Sequence, residues 1–265
     1  MTPTNSKVVI ITGGSSGIGA ATARRLARDH MRLTLAARRK DRLKQVAAEV
    51  ESLGGEVLIV PTDVRKNDDI QHMVQATLDR WGRIDVLFNN AGLRHCNRLL
   101  NAYSDDIRDE IHVNLIALIE CAQAVLPVML HQKSGHIINV ASIAGLIGRP
   151  GSSIYSATKF GVNGFTDALH RELLNSGIHV SAVCPGYTPT EFSANVKAVL
   201  EGRPDAPKLP GMMPITYVAD QVARLIQHPR LRVIIPHSWK ALVILAFLFP
   251  GLADVLVTSF IPKKK

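Results

Sequence analysis

Tyr155 and Lys159 stand four residues apart in the run Tyr155-Ser156-Ala157-Thr158-Lys159. The apolar spacing around them predicts a helix from Ser153 to Asn175, which puts both side chains on one face. A phenol with a pKa of about 10 stays protonated near neutral pH. A lysine ammonium one turn away favours the phenolate and brings the tyrosine into the working range of an acid–base group. Ser142 follows the apolar run His136 to Val140, where its hydroxyl could donate to a carbonyl oxygen that gains negative charge as a hydride arrives. Separately, a Tyr–Lys pair one turn apart is usually a surface pair, and a serine after a strand is usually a turn residue. Together they suit the interconversion of a carbonyl and an alcohol.

Hydride chemistry needs a carrier, and the first apolar run leads into a loop built to hold one. Thr12-Gly13-Gly14-Ser15-Ser16-Gly17-Ile18-Gly19 comes directly after the run and opens a helical pattern. Gly13, Gly17 and Gly19 permit a tight turn and close approach of backbone to a pyrophosphate, which the helix N-terminus would attract. The spacing GxxxGxG differs from the GxGxxG fingerprint, so the strand–turn–helix context carries this reading. After the second run, Leu33 to Ala36, comes Ala37-Arg38-Arg39-Lys40, with no carboxylate before Asp41. An acidic residue there would take a ribose 2′-hydroxyl, whereas Arg38 is placed to pair with a 2′-phosphate, with Ser15 or Ser16 adding a hydroxyl. NADP(H) is therefore expected over NAD(H), while Arg39 and Lys40 read as a solvated helix start.

The elements that must position these groups alternate along the chain. Short apolar runs at Lys7 to Thr12, Leu33 to Ala36, Val57 to Val60, Val86 to Phe88, His136 to Val140, His179 to Val183 and Arg232 to Ile235 read as buried strands. Helical patterns fill the intervals: Ile18 to Asp29, Asp41 to Leu53, Asp68 to Trp81, Ser104 to His131, Ser153 to Asn175 and Thr216 to Gln227. Such alternation predicts an α/β fold, a single doubly wound parallel sheet with helices on both faces. No repeat or polar linker divides the chain, so residues 1–238 read as one catalytic domain. A proline-rich stretch near 187–214 reads as a substrate lid.

The ordered set of motifs resembles the short-chain dehydrogenase/reductase family over about residues 7 to 235: TGGSSGIG at 12–19, Asp63, Asn89-Asn90-Ala91-Gly92, Asn114, Ser142, YSATK at 155–159 and Pro185-Gly186-Tyr187-Thr188-Pro189-Thr190. The resemblance implies a Rossmann-like fold in which Tyr155 is the general acid in reduction and the base in oxidation. Lys159 would hold the nicotinamide ribose, Ser142 would orient the substrate oxygen, and Asn114 would hold a water that relays protons. It further implies that Asp63 contacts the adenine amino group and that Asn90, Ala91 and Gly92 line the adenosine ribose. Pro185 and Gly186 would form the turn that brings Thr188 and Thr190 to the carboxamide and pyrophosphate. Helices Ser104 to His131 and Ser153 to Asn175 would pair copies into a homodimer or homotetramer.

The 265 residues carry 31 Lys+Arg against 22 Asp+Glu, a net +9 that suggests an anionic partner. No nucleic-acid motif or basic–aromatic stripe supports nucleic acid. Cys96, Cys121 and Cys184 lack metal or disulfide spacing and read as core filler in a reducing compartment, and the 10 histidines form no ligand cluster. The segment 239–265 stands apart: Ala241 to Phe249 is wholly apolar, Pro250-Gly251 breaks it, and Lys263, Lys264 and Lys265 follow. Five basic residues from Leu231 onward oppose Asp254, leaving +4 of the +9 there. Lys240, Pro250 and Asp254 argue against a simple span; an interfacial helix pair, or packing on the core or a partner subunit, remain as readings. The first suggests a lipophilic carbonyl or alcohol substrate and a cytoplasmic enzyme at the inner face of a membrane. A non-catalytic NADP(H)-sensing or membrane-surface scaffold of the same fold is the alternative.

Overall fold

The computed structural model describes residues 6–95, 99–148, 151–190, 213–251 and 254–255. Strands β1 (Val8–Thr12), β2 (Arg32–Ala37), β3 (Glu56–Pro61), β4 (Val86–Asn89), β5 (Gly135–Val140), β6 (Ile178–Pro185) and β7 (Arg232–Ile235) form one seven-stranded sheet in the order β3-β2-β1-β4-β5-β6-β7. Every neighbouring pair is parallel. The strand order reverses between β1 and β4, and in such sheets the crevice beyond the strands' carboxyl ends at that reversal is the ligand site.

Alternation along each strand divides the core. Val9, Ile11, Leu33, Leu35 and Phe88 pack to one side with α1 (Gly17–Ala27), α2 (Lys40–Ser52) and α7 (Ile215–Gln227). Ile10, Leu87, Ile137 and Val180 pack to the other with α3 (Asn67–Trp81), α5 (Ala117–Gln132) and α6 (Ser153–Glu172). Both faces are covered, which is why the strands read as continuous apolar runs. Cys121 and Cys184 are buried in this core, as filler residues should be; Cys96 lies outside the described residues.

The helical pattern from Ser104 to His131 is where local structure departs most from the expected single helix. It divides into α4 (Ser104–Ile111), a π-helical turn (His112–Ile116) and α5. A π turn adds a residue to the helical repeat and re-aims the side chains beyond it, and such turns concentrate at functional sites. Asn114 sits at its centre.

Of the stretch read as a lid, residues 191–212 lie outside the described residues. Met213, at its end, packs into the core beside Val218 and Ile235. The apolar tail begins as α8 (Trp239–Leu248), whose Trp239 and Val243 pack on a small cluster with Ile143 and Ile234. Ile244, Phe247, Leu248 and Phe249 face outward, Phe247 being 86% exposed.

Candidate active site

The glycine loop runs from the end of β1 to the start of α1. Gly13 (φ +67°) and Gly17 (φ +57°) adopt left-handed backbone that disfavours side chains. A Cβ on Gly19 would lie 2.5 Å from the Gly13 carbonyl oxygen, so only glycine lets the helix close against the turn. Asn90 fixes this geometry from just past β4: its side-chain amide donates to the carbonyls of Thr12 (2.9 Å) and Gly13 (3.3 Å). The Thr12 hydroxyl in return accepts the main-chain N–H groups of Asn90 and Ala91, both at 3.0 Å. The Asn90 side chain is thus tied to the glycine loop, which fixes the Asn90–Gly92 segment beside it.

Ser16 precedes α1 but does not cap it with its hydroxyl. That hydroxyl instead accepts a bond from Arg39 Nη2 at 2.7 Å. The first-turn N–H groups of α1 are left uncapped by Ser16, the donor set and dipole end a pyrophosphate requires. Arg39, exposed at the start of α2 as a solvated helix start should be, also reaches back to this loop. Arg38 is exposed at the end of β2, and its charge helps hold the Asp63 carboxyl low. The main cause of that lowering, to about 2, is the guanidinium of Arg65, which grips the carboxylate. Arg65 also bonds Asp109 at 2.9 Å, joining the segment after β3 to α4. A dinucleotide therefore fits this end of the sheet: a glycine cradle, an uncapped helix start and two guanidinium groups.

Tyr155, Lys159 and Ser142 meet at the carboxyl end of β5. Lys159 is buried to 4% exposure, its ammonium donating to the Val140 carbonyl at 2.8 Å and lying 5.7 Å from the centre of the Tyr155 ring. Burial pushes its pKa down to about 8. Ser142 accepts the Ala144 N–H at 3.1 Å and donates a long 3.4 Å bond to the Pro185 carbonyl. Beneath them a buried amide ladder, Asn89 to Asn139 (3.1 Å) and Asn139 to the Thr166 hydroxyl (3.0 Å), ties β4, β5 and α6 together. Asn114, fully buried, accepts the Leu93 N–H at 2.9 Å and donates to the Leu93 carbonyl at 2.8 Å. Gly92 lies between Asn114 and Lys159: a Cβ there would be 3.2 Å from Asn114 Oδ1 and 4.0 Å from Lys159 Nζ. Past β6, Gly186 donates its N–H to Ile235, Thr188 is buried, and Thr190 stands against Gly17. The fold thus gathers the residues singled out in the sequence around one crevice, with Ile18 half-buried and Ser15 buried at its phosphate end.

A family model described as short chain dehydrogenase matches residues 7–200. The chain belongs to the short-chain dehydrogenase/reductase family. It is 41% identical over 199 residues, 75% of this chain and 81% of the relative, to a 3-oxoacyl-[acyl-carrier-protein] reductase of Synechocystis sp.. Among solved structures it resembles a short-chain dehydrogenase/reductase from Burkholderia phymatum in complex with NAD (TM-score 0.84, 28% identity, 95% of this chain and 96% of that one). It also resembles a short-chain dehydrogenase from Sphingobium yanoikuyae in complex with NADPH (TM-score 0.78, 31% identity, 98% of each chain). As a short-chain dehydrogenase/reductase, the protein is an oxidoreductase acting between carbonyl and alcohol with a nicotinamide cofactor. The fold accommodates either dinucleotide, so the preference rests on the residues after β2.

Two further residues, like Arg65, escaped the sequence reading altogether. Arg94 places its guanidinium carbon 5.3 Å from the centre of the Tyr155 ring and donates to the Ser152 hydroxyl. Glu110 is the sole buried residue of α4, at 0% exposure, while its neighbour Ile111 is 36% exposed. That inversion of polarity is visible only once the chain is folded.

Proposed function

We propose that this short-chain dehydrogenase/reductase is an NADP(H)-dependent reductase of a lipophilic ketone or aldehyde, with Tyr155 as the acid. The observation that carries it is the buried Lys159 ammonium beside the Tyr155 ring. A bound nicotinamide would supply the hydride to the carbonyl carbon, or accept it in the reverse direction. The Tyr155 hydroxyl gives its proton to the carbonyl oxygen, and Lys159 lowers the cost of the phenolate that remains. Ser142 exchanges its long bond to Pro185 for one to the substrate oxygen. Asn114 holds the Gly92–Leu93 segment against Lys159 and, with the π turn around it, keeps a water for proton exchange. Gly13, Gly17, Gly19 and the α1 start would hold the pyrophosphate, Arg38 and Arg39 the 2′-phosphate, Asp63 and Gly92 the adenosine, and Pro185, Gly186, Thr188 and Thr190 the nicotinamide end.

The name of the Synechocystis relative supports a 3-oxoacyl thioester as the first compound to try. With NADPH, turnover should rise with acyl length across 3-oxoacyl thioesters, ketones and aldehydes, measured as NADPH consumption. Equal efficiency on short polar carbonyls would sink the lipophilic assignment.

Ile116 in the π turn (42% exposed) and Phe160 on α6 (47%) lie on the elements expected to pair copies, which supports a homo-oligomer. For α8 we favour a membrane surface in the cytoplasm. Trp239 and Val243 pack one side of the helix on the core, and Ile244, Phe247, Leu248 and Phe249 leave an apolar side outward that the boundary of headgroups and acyl chains would cover. Lys240 and the terminal lysines suit an anionic headgroup layer. Phe247→Asp with Leu248→Asp, which leaves Trp239 and Val243 in their packing, is expected to abolish partition into anionic vesicles. Partition at the wild-type level would refute the attachment.

A further inference from the structure

The loop after β4 is held to α4 and the π turn by side chains four residues apart. Asn114 takes both main-chain groups of Leu93, and Glu110 Oε2 accepts the His95 N–H at 3.1 Å. Arg94, between the two anchored residues, spans from that loop to the other side of the crevice, where Ser152 immediately precedes α6. The guanidinium is thereby fixed against the Tyr155 ring at both ends of its side chain. Its Nε is buried with no hydrogen-bond partner among the described residues, and so is Glu110 Oε1. Glu110 is thus held within electrostatic range of both Arg94 and Lys159.

We propose that Arg94 and Glu110 act as an opposed pair on Tyr155, the guanidinium favouring the phenolate and the carboxylate opposing it. Both are positioning residues, acting through the tyrosine, and the assignment rests on the reading of Tyr155 as the acid–base group. Among the described residues, Arg94 from the loop after β4 and Lys159 on its own helix stand against the Tyr155 ring, and Glu110 from α4 acts electrostatically on both of those cations. Behind Glu110 stands His95, between Asp106 at 3.5 Å and Asp109 at 3.6 Å. Beside Lys159, on β6, Cys184 is pushed up to about 12 by burial and stays neutral. Burial raises the Glu110 carboxyl, and the nearby charges of His95, Arg94 and Lys159 counter that rise.

Charge balance gives the direction. The Arg94 guanidinium and Lys159 ammonium against the ring favour the phenolate, and an ionised Glu110 offsets part of both positive charges and so opposes it. Burial pulls the Lys159 ammonium down to about 8. Arginine does not deprotonate there, so Arg94 is the cation that persists.

The experiment titrates the Tyr155 phenolate by ultraviolet difference absorbance against a Tyr155→Phe reference, alongside the pH profile of kcat/KM for alcohol oxidation. Arg94→Gln, which can still donate to Ser152, should move both midpoints up by about one pH unit, and Arg94→Lys should restore most of the shift. Glu110→Gln, which can still accept the His95 N–H, should move both midpoints down. A merely structural role would not yield shifts of opposite sign. Folded variants whose Tyr155 titrates at the wild-type midpoint overturn the proposal, and if Arg94→Gln fails to fold, Glu110→Gln decides it alone. Should Tyr155→Phe retain turnover, the acid–base reading fails, yet the absorbance titration still reports whether the pair acts on Tyr155.

Discussion

Replacing Tyr155 with phenylalanine is expected to lower carbonyl turnover about 10³-fold, the scale of a lost general acid, with a much smaller change in NADPH affinity. The variant removes one oxygen and keeps the ring between Lys159 and Arg94, so the packing of α6 against the crevice is preserved. The loss should fall on kcat and kcat/KM alike, because proton donation is made in the transition state. Ser142 and the bound nicotinamide would still polarise and orient the carbonyl, which accounts for residual turnover. Steady-state NADPH consumption with the best substrate of the carbonyl panel reads this directly. Retention of wild-type turnover would remove Tyr155 from its role. NADPH binding without turnover in the unaltered protein would instead favour the nucleotide-sensing scaffold.

The sheet was legible because parallel strands are buried on both faces and appear as short continuous apolar runs. β7 matches its expected bounds, Arg232–Ile235, and most other strands differ by a residue or two at an end. The π turn was not legible: His112 to Ile116 continues the apolar periodicity of its flanks, and the extra residue is defined by hydrogen bonding alone. At the site, Tyr155, Lys159 and Ser142 could be read because their relation is local, one helical turn or one strand end. Contacts between distant segments could not. Arg39 finds Ser16 across 23 residues, and Arg94 finds Ser152 across 58. Glu110 followed the same logic in reverse: an acidic residue in the polar run of α4 reads as solvent-facing, and only the crossing of the loop after β4 buries it.

Cofactor choice follows from the same crevice. Arg38→Asp is expected to raise KM for NADPH by roughly 10- to 100-fold, the scale of a lost charge-assisted bond plus repulsion, while NADH changes little or improves. A 2′-phosphate would bring negative charge to the end of β2, where the chain offers Arg38 and Arg39 and no carboxylate before Asp41. Arg39 is already committed to Ser16 on the glycine loop, so Arg39→Ala should weaken NADPH in the same direction but by less, and should loosen the pyrophosphate end for both nucleotides. Arg38 has the opposite standing: it is exposed, and its influence on Asp63 is secondary to that of Arg65. An aspartate at 38 leaves the Asp63–Arg65 pair in place and supplies the carboxylate that a free ribose 2′-hydroxyl requires. Arg38→Ala separates the two effects, since it removes the cation without adding the acceptor. Parallel kinetics with NADPH and NADH give the ratio. Equal losses for both nucleotides would contradict the 2′-phosphate assignment, because a defect in the shared pyrophosphate cradle cannot distinguish them and a defect at the 2′ position must.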